Sequence, residues 1–220
     1  ILFWSLALLQ ILIIKEKPSK INFILLGIFI GLAFLAKYAA IYFIFCIIIM
    51  FFEKEMRDIF LKNKISFLYC IIVISLIATP NIIWNFNNGW LTLNHTINNA
   101  ALNKTNLNIG GGLVFVISQI LMVGPLIFLF FCFGFVKNLK YDFNTKFLII
   151  FSFPIFFIIL IESMLVKANA NWAAVSLISF LILFVHTTFK FNKKAIFLNN
   201  LVNLIFYFLT RILSNHVFNE

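Results

Sequence analysis

Long apolar runs separated by short basic loops occupy most of the chain. Lipid contains no water to bond the backbone, so a spanning segment forms all its hydrogen bonds within a helix. The dyad alternation of a membrane β-strand is missing from runs such as residues 147–157, FLIIFSFPIFF. The pattern therefore predicts an all-α, polytopic transmembrane protein. Its apolar runs are residues 1–14, 21–52, 66–84, 112–136, 147–166, 172–186 and 195–209.

The run at residues 21–52 is too long for one span, since the hydrocarbon core needs only ~20 residues. As one helix it would hold Lys37 near mid-membrane, at a cost of about 2.5–3.5 kcal/mol. A break at Lys37–Tyr38 makes a hairpin instead and puts the basic loops 15–20 and 53–64 on one side. This division predicts about eight spans within residues 1–210, followed by a tail at residues 211–220.

Charge sets the predicted orientation. The chain has 17 Lys and Arg against 7 Asp and Glu, and most of the basic residues fall in loops on the side of residues 15–20 and 53–64. The positive-inside rule makes that side cytoplasmic. Nucleic-acid binding is the weaker explanation, because the basic residues are scattered over several short loops. The tryptophans lie at or near the opposite, outer ends of spans, where such rings anchor: Trp4, Trp84, Trp90 and Trp172.

Composition supports a membrane location. Hydrophobic residues make up 63% and charged residues 11%, with a mean hydropathy of +1.07, whereas soluble domains are about half apolar and a quarter charged. The 31 Phe, with many Ile, Asn and Lys, suggest an AT-rich bacterial genome. We therefore expect a bacterial inner (plasma) membrane protein whose outer loops face the periplasm. In the inner loop 53–64, apolar residues at helical spacing predict a helix lying flat on the membrane surface.

Cations gather on the predicted outer face. A long outer loop, residues 85–111, is rich in Asn and Thr and ends in a glycine run interpreted as a hinge. Outer lysines can simply extend toward the headgroups. Alternatively, lysines and a histidine from separate turns could neutralise a lipid phosphate. The candidate lipid-phosphate or substrate-binding residues are Lys37, Tyr38, His95, Lys167, Asn171 and Trp172.

Carboxylates are missing from the outer loops. Glu162 lies about one turn inside the outer end of its span, so only His95 or Glu162 could act as a general base there. The sequence shows no metal-ligand cluster, phosphate-binding glycine loop or serine elbow. No metal or cofactor is therefore expected.

Four stretches resemble, in the same order, the bacterial GT-C type membrane glycosyltransferases, which include protein O-mannosyltransferase-like and aminoarabinose-transferase-like proteins. The resemblance implies transfer of a sugar from a polyprenyl-phosphate donor to a lipid, glycan or protein acceptor on the extracytoplasmic side. It also implies lipid-phosphate contacts at the candidate residues, Lys37 first. The stretches are residues 27–41 (GIFIGLAFLAKYAAI), 80–90 (PNIIWNFNNGW), 110–125 (GGGLVFVISQILMVGP) and 167–173 (KANANWA).

The resemblance also implies a catalytic acid in the first outer loop, in an Asp-Glu followed shortly by Tyr-Tyr-Trp. This sequence holds no such motif, and the apolar run 1–14 is short for a complete span. We therefore expect an N-terminally truncated, GT-C-like fragment whose catalytic residues lie upstream of Ile1. Two alternatives remain open: a transporter or flippase of lipid-linked sugars, with Ser75, Gln119 and Glu162 along its path, and a non-catalytic remnant of the transferase.

Overall fold

The computed structural model describes residues 1–100, 107–125, 128, 142–166, 168–188, 194, 197–198, 200–205 and 208. Every regular element in this part of the chain is helical, which confirms the all-α prediction. Short 3-10 turns at Tyr38–Ala40 and Ala170–Ala173 interrupt the α-helices. The tail 211–220 lies outside the described residues. The main helices are α1 Leu2–Glu16, α2 Lys20–Ala36, α3 Ile41–Met50, α4 Lys54–Lys62, α5 Lys64–Asn87, α6 Leu91–Ala100, α7 Ile109–Val123, α8 Phe143–Ile150, α9 Phe153–Leu165 and α10 Ala174–Thr188.

Among the described residues, two helical stretches are long and apolar enough to cross a bilayer. They are Lys64–Asn87 and Phe143–Leu165, with mean hydropathies of 2.1 and 2.5. Most of α5 faces outward, since its buried residues are only Cys70, Ala78 and Asn85. A surface so apolar suits lipid. Other apolar helices are shorter, and the number of eight spans stays a prediction.

The predicted hairpin at Lys37 is present. Helix α2 ends at Ala36, and Lys37 takes an extended conformation with φ −163° and ψ 130° before the turn into α3. The far ends of the two helices come together again: the Phe67 ring lies 6.4 Å from that of Phe23, in the first turn of α2, and 5.8 Å from that of Phe51, which follows α3. The chain therefore reverses at Lys37.

Helices α2 and α5 run parallel and pack almost backbone to backbone. A Cβ placed on Gly27 would lie 2.6 Å from the Cys70 carbonyl oxygen, and one on Gly31 would lie 2.9 Å from Cβ of Ile77. Gly27 meets Cys70 and Gly31 meets Ile77, so the residue numbers of the contacts increase together along both helices, and the two helices run in the same direction. Glycines four residues apart permit such close crossings in membrane proteins.

The end of the helices that holds Lys15, Lys146 and α4 is here called the basic end. Lys15 lies 3.4 Å from Glu55, and Lys146 lies 3.4 Å from Glu53, which also caps α4. Three of the basic loops therefore meet at one end, as the charge pattern predicts. Which compartment this end faces stays a prediction.

Helix α4 differs from its predicted placement on the membrane surface. Its apolar residues Met56 and Phe60 are buried inside the protein, where the Phe60 ring lies 5.2 Å from that of Phe51. Protein side chains, rather than lipid, therefore cover the apolar face of α4. Ion pairs from α1 and α8 to the N-terminal part of α4 favour this inward docking, which a sequence pattern alone does not reveal.

Helices α7 to α10 pack beside this group. The interpretation of Gly110–Gly112 as a hinge is wrong, because these residues form the first turn of α7, capped by Asn108. A Cβ on Gly111 would lie 2.5 Å from the Ser163 carbonyl oxygen of α9, so glycine serves close packing there. The Phe43 ring of α3 links the two groups, at 4.9 Å from Trp4 and 4.8 Å from Phe151.

Replacing Gly27 by Ala tests the α2–α5 contact. Alanine favours an isolated helix by about 1 kcal/mol over glycine. Its methyl group would nevertheless meet a backbone oxygen, and overpacking costs roughly 1–3 kcal/mol. We expect Gly27→Ala to lower the Tm in detergent, measured by circular dichroism, and Gly31→Ala to lower it less because it meets a side chain. Leu76→Ala, on the exposed face of α5, is the control. A Tm for Gly27→Ala at or above that of the wild type would contradict the close packing.

Candidate functional site

A cavity of about 540 Å³ lies at the end of the helices opposite the basic end. We call it the large cavity. It is enclosed by the turn between α2 and α3, the C-terminal part of α5, α6, α9 and the Ala170–Ala173 turn. Its volume is within the usual range of small-molecule sites, about 300–1,000 Å³. The side chains that give it chemical character are Lys37, Tyr38, Asn81, Thr92, Thr96, Glu162 and Trp172.

Tyr38 is the centre of a hydrogen-bond network on one wall of the large cavity. Its hydroxyl donates to Oδ1 of Asn81 at 2.9 Å, and the amide of Asn85 donates to the Tyr38 oxygen at 3.0 Å. The Tyr38 and Thr92 hydroxyl oxygens lie 2.7 Å apart, so one of the two hydroxyl groups can donate to the other in place of its amide partner. The network joins the α2–α3 turn to α5 and α6, and thereby holds the tyrosine in place.

A tight turn between α5 and α6 brings Thr92 to this network. Gly89 and Trp90 have φ of 62° and 59°, a left-handed conformation that glycine adopts easily and tryptophan rarely. The backbone N–H of Trp90 donates to the backbone carbonyl of Asn85 at 2.7 Å, and the Thr92 hydroxyl donates to the side-chain oxygen Oδ1 of Asn85. These bonds hold Trp90 in its strained conformation and turn α6 back toward the cavity.

The predicted long outer loop 85–111 is therefore wrong in part. Helix α5 continues to Asn87, α6 occupies Leu91–Ala100 and α7 begins at Ile109. Asn and Thr side chains bond the backbone here, as Asn94 does to the carbonyl of Gly89 in the turn at 3.0 Å, and Thr96 to the carbonyl of Thr92 in α6 at 2.9 Å. Because polar contacts stabilise these turns, the segment lacks the apolar periodicity that would have revealed its helix.

Lys37 lies between two cavities. It lines the large cavity and also a smaller cavity of about 260 Å³, here called the small cavity, together with Trp4 and Asn171. The lysine is exposed, and no carboxylate in the described part of the chain lies within 4.0 Å of its ammonium group. Trp4 is buried, and its indole Nε1 has no hydrogen-bond partner among the described residues.

Glu162 adds a carboxylate to the large cavity. It lies near the end of α9, and its Oε2 is buried without a hydrogen-bond partner in the described structure. The sequence indicates it as a possible base or as part of a transport path, and the candidate set of binding residues omits it. One signal could have identified it, because an ionisable residue inside an apolar span is by default a functional candidate.

A glutamine holds the turn that carries Asn171 and Trp172. The buried Gln119 side chain of α7 donates to the Ala170 carbonyl at 2.8 Å, and the Trp172 amide donates to the Asn169 carbonyl at 3.0 Å. This turn points its two side chains apart: Trp172 lines the large cavity and Asn171 the small one.

The structure therefore brings together four of the predicted site residues. Lys37, Tyr38 and Trp172 line the large cavity, and Asn171 meets Lys37 at the small one. His95 is exposed on α6 and is not among the residues that line the large cavity, so its role stays a prediction. Successive helical residues point ~100° apart, so the residue before Thr96 faces elsewhere. Lys167 lies outside the described residues.

Comparison with known proteins gives two matches. Residues 1–84 match the family model of dolichyl-phosphate-mannose-protein mannosyltransferases. Over 215 residues the chain is 26% identical to the lipid A galacturonosyltransferase RgtD of Rhizobium johnstonii, covering 93% of this chain and 44% of that protein. The chain thus spans less than half the length of this relative. No solved structure matches. Both findings confirm the resemblance to GT-C type membrane glycosyltransferases.

Removing the Tyr38 hydroxyl tests the network. We expect Tyr38→Phe to destabilise the protein by about 1–2 kcal/mol, because the buried Asn85 amide and Asn81 lose a shared partner. Amide hydrogen exchange across residues 89–97 should become faster, since α6 loses an attachment to the turn between α2 and α3. The control is Tyr69→Phe, which keeps the ring under Lys20. Equal exchange in the two variants would argue against a role of the hydroxyl in holding α6.

Proposed function

We propose that the chain is the carrier-binding part of a membrane glycosyltransferase of the bacterial inner membrane. In this proposal the enzyme takes a sugar from a polyprenyl-phosphate donor and passes it to a lipid, glycan or protein acceptor on the extracytoplasmic side. The observation that carries the proposal is Lys37, an exposed cation held by a helix break at the wall of two cavities. The two matches to glycosyltransferases support it.

The small cavity has the donors that a phosphate requires. Lys37 brings an ammonium group, Trp4 a buried indole N–H without a partner in the described structure, and Asn171 a side-chain amide. A phosphate accepts hydrogen bonds from all three kinds of donor, and the charged one is the strongest.

The position of Lys37 also suits a lipid carrier. It lies at the end of α2, opposite the basic end, while apolar side chains cover most of the surface of α5. An isoprenoid chain could remain in the bilayer while its phosphate reaches the ends of the helices. Because Lys37 lines both cavities, a sugar attached to a phosphate in the small cavity would reach into the large one.

The reaction in this proposal is a displacement at the anomeric carbon. An acceptor hydroxyl attacks that carbon, the bond from carbon to the phosphate oxygen breaks, and the carrier leaves as its phosphate. Negative charge increases on the leaving oxygen, where Lys37 would stabilise it. The proton acceptor for the attacking hydroxyl is, as the resemblance implies, an Asp-Glu motif that this sequence does not contain.

Two contacts favour the transferase over the transporter among the alternatives. The Ser75 hydroxyl donates to the Ile71 carbonyl of its own helix at 3.0 Å, and the Gln119 amide is bonded to Ala170. These polar groups serve helix and turn rather than a continuous path. Glu162 does not extend such a path, because it lines the large cavity at the ends of the helices, which Lys37 also lines.

Lys37→Ala tests the proposal in the protein as its gene encodes it, reconstituted in liposomes. A charge-assisted contact contributes ~1.5–3 kcal/mol, so we expect KM for a polyprenyl-phosphate sugar to rise roughly 10- to 100-fold. Lys37→Arg should retain most of the binding, because the charge remains. The matched control is Lys64→Ala, an exposed lysine on α5 at the basic end. Unchanged turnover and KM in Lys37→Ala would contradict the phosphate role.

A further inference from the structure

The large cavity differs in chemistry from the small one. Its Glu162 carboxylate has a buried oxygen without a hydrogen-bond partner in the described structure, and it can only accept hydrogen bonds when ionised. Thr92 and Thr96 add hydroxyl groups on α6, one helical turn apart. The nearby cation, Lys37, is farther than 4.0 Å from the carboxylate, so the two do not neutralise each other directly. Within the described structure, no hydrogen-bond donor therefore reaches this carboxylate oxygen.

A sugar ring supplies such a partner. A hydroxyl group on a pyranose can donate to a carboxylate, and the apolar face of the ring packs against aromatic side chains. Trp172 offers that aromatic surface in the same cavity as Glu162. A bound metal ion is the less suitable occupant, because the described residues contain no cluster of three or more His, Cys, Asp or Glu side chains.

We propose that the large cavity binds an uncharged, hydroxyl-bearing pyranose of the donor, that Glu162 accepts hydrogen bonds from its hydroxyl groups, and that the same carboxylate rejects uronic acid sugars. The inference rests on the proposed function, since it assumes that the sugar is attached to a phosphate near Lys37. It names the sugar class, which neither comparison assigns to this chain.

Rejection of uronic acids follows from like charge. A uronate carboxylate in direct contact with Glu162 would bring two anions together in a partly buried site, where water screens them poorly, whereas Lys37, the cation of the same cavity, lies more than 4.0 Å from Glu162. An interface commonly gains specificity from such a repulsive element as well as from attractive contacts. The relative RgtD is named a galacturonosyltransferase, so this chain would differ from it in the sugar it accepts.

The experiment compares three ligands with the protein reconstituted in liposomes: bare polyprenyl phosphate, polyprenyl-phosphate mannose and polyprenyl-phosphate galacturonate. Affinities are measured by competition with labelled polyprenyl phosphate. For the wild type we expect the mannose donor to bind at least ~10-fold more tightly than the galacturonate donor, the ratio that a charged hydrogen bond or like-charge contact supports. Glu162→Gln should reduce this ratio to about 1–3, since the amide neither repels a uronate nor accepts as strongly.

A control variant and a second cavity variant separate effects on folding from effects on sugar specificity. Glu16→Gln, an exposed carboxylate at the end of α1, should leave the ratio unchanged. Thr96→Val, of similar volume and in the same cavity, should weaken the mannose donor severalfold while bare polyprenyl phosphate still binds.

The outcomes distinguish the two proposals. If bare polyprenyl phosphate binds in a manner that depends on Lys37, but the wild type binds galacturonate and mannose donors equally, the sugar inference is overturned and the carrier site stands. A ratio that Glu162→Gln leaves intact also overturns the inference. If none of the three ligands binds, the proposed function itself fails. Should Glu162→Gln not fold, equal affinities of Thr96→Val and wild type for the mannose donor would overturn the inference.

Discussion

The close approach of α2 and α5 sets the geometry on which the rest of the site depends. Two glycines on α2 let its backbone lie against α5, and the two helices run parallel over this contact. Where α2 ends, Tyr38 therefore arrives beside Asn81 and Asn85 near the end of α5. Bulkier residues at Gly27 or Gly31 would separate the helices and move the tyrosine away from its partners. A packing contact deep between helices thus positions polar groups at their end.

Both cavities lie where helices are interrupted. In an apolar environment an interrupted helix leaves backbone groups without partners, so each break requires compensation. At Lys37 the chain uses a 3-10 turn, and beyond α5 it uses a left-handed turn bonded to Asn85. At Ala170–Ala173 it uses the Gln119 amide. Each break adds side chains to the same end, and the space between them is the large cavity.

The two cavities around Lys37 differ in their hydrogen-bonding chemistry. The small cavity has donors, including the buried indole of Trp4, and the large cavity has the buried acceptor of Glu162. A sugar phosphate also has two such parts, since its phosphate accepts hydrogen bonds and its sugar hydroxyl groups donate them. The shared lysine between the cavities is where these two parts of the ligand would join. This correspondence links the packing of the helices to the proposed chemistry.

The sequence by itself determined the helical class, the hairpin break at Lys37 and the gathering of basic loops at one end. It could do so because apolar run length and charge position act locally along the chain. Tertiary structure alone decided that Glu162 joins Lys37 and Trp172, that His95 faces away, and that α6 exists within a segment rich in Asn and Thr. These outcomes depend on contacts between residues far apart in sequence, such as Tyr38 with Thr92. Polar bonds of this kind leave no periodic signal, because one well-placed partner is enough to hold each group.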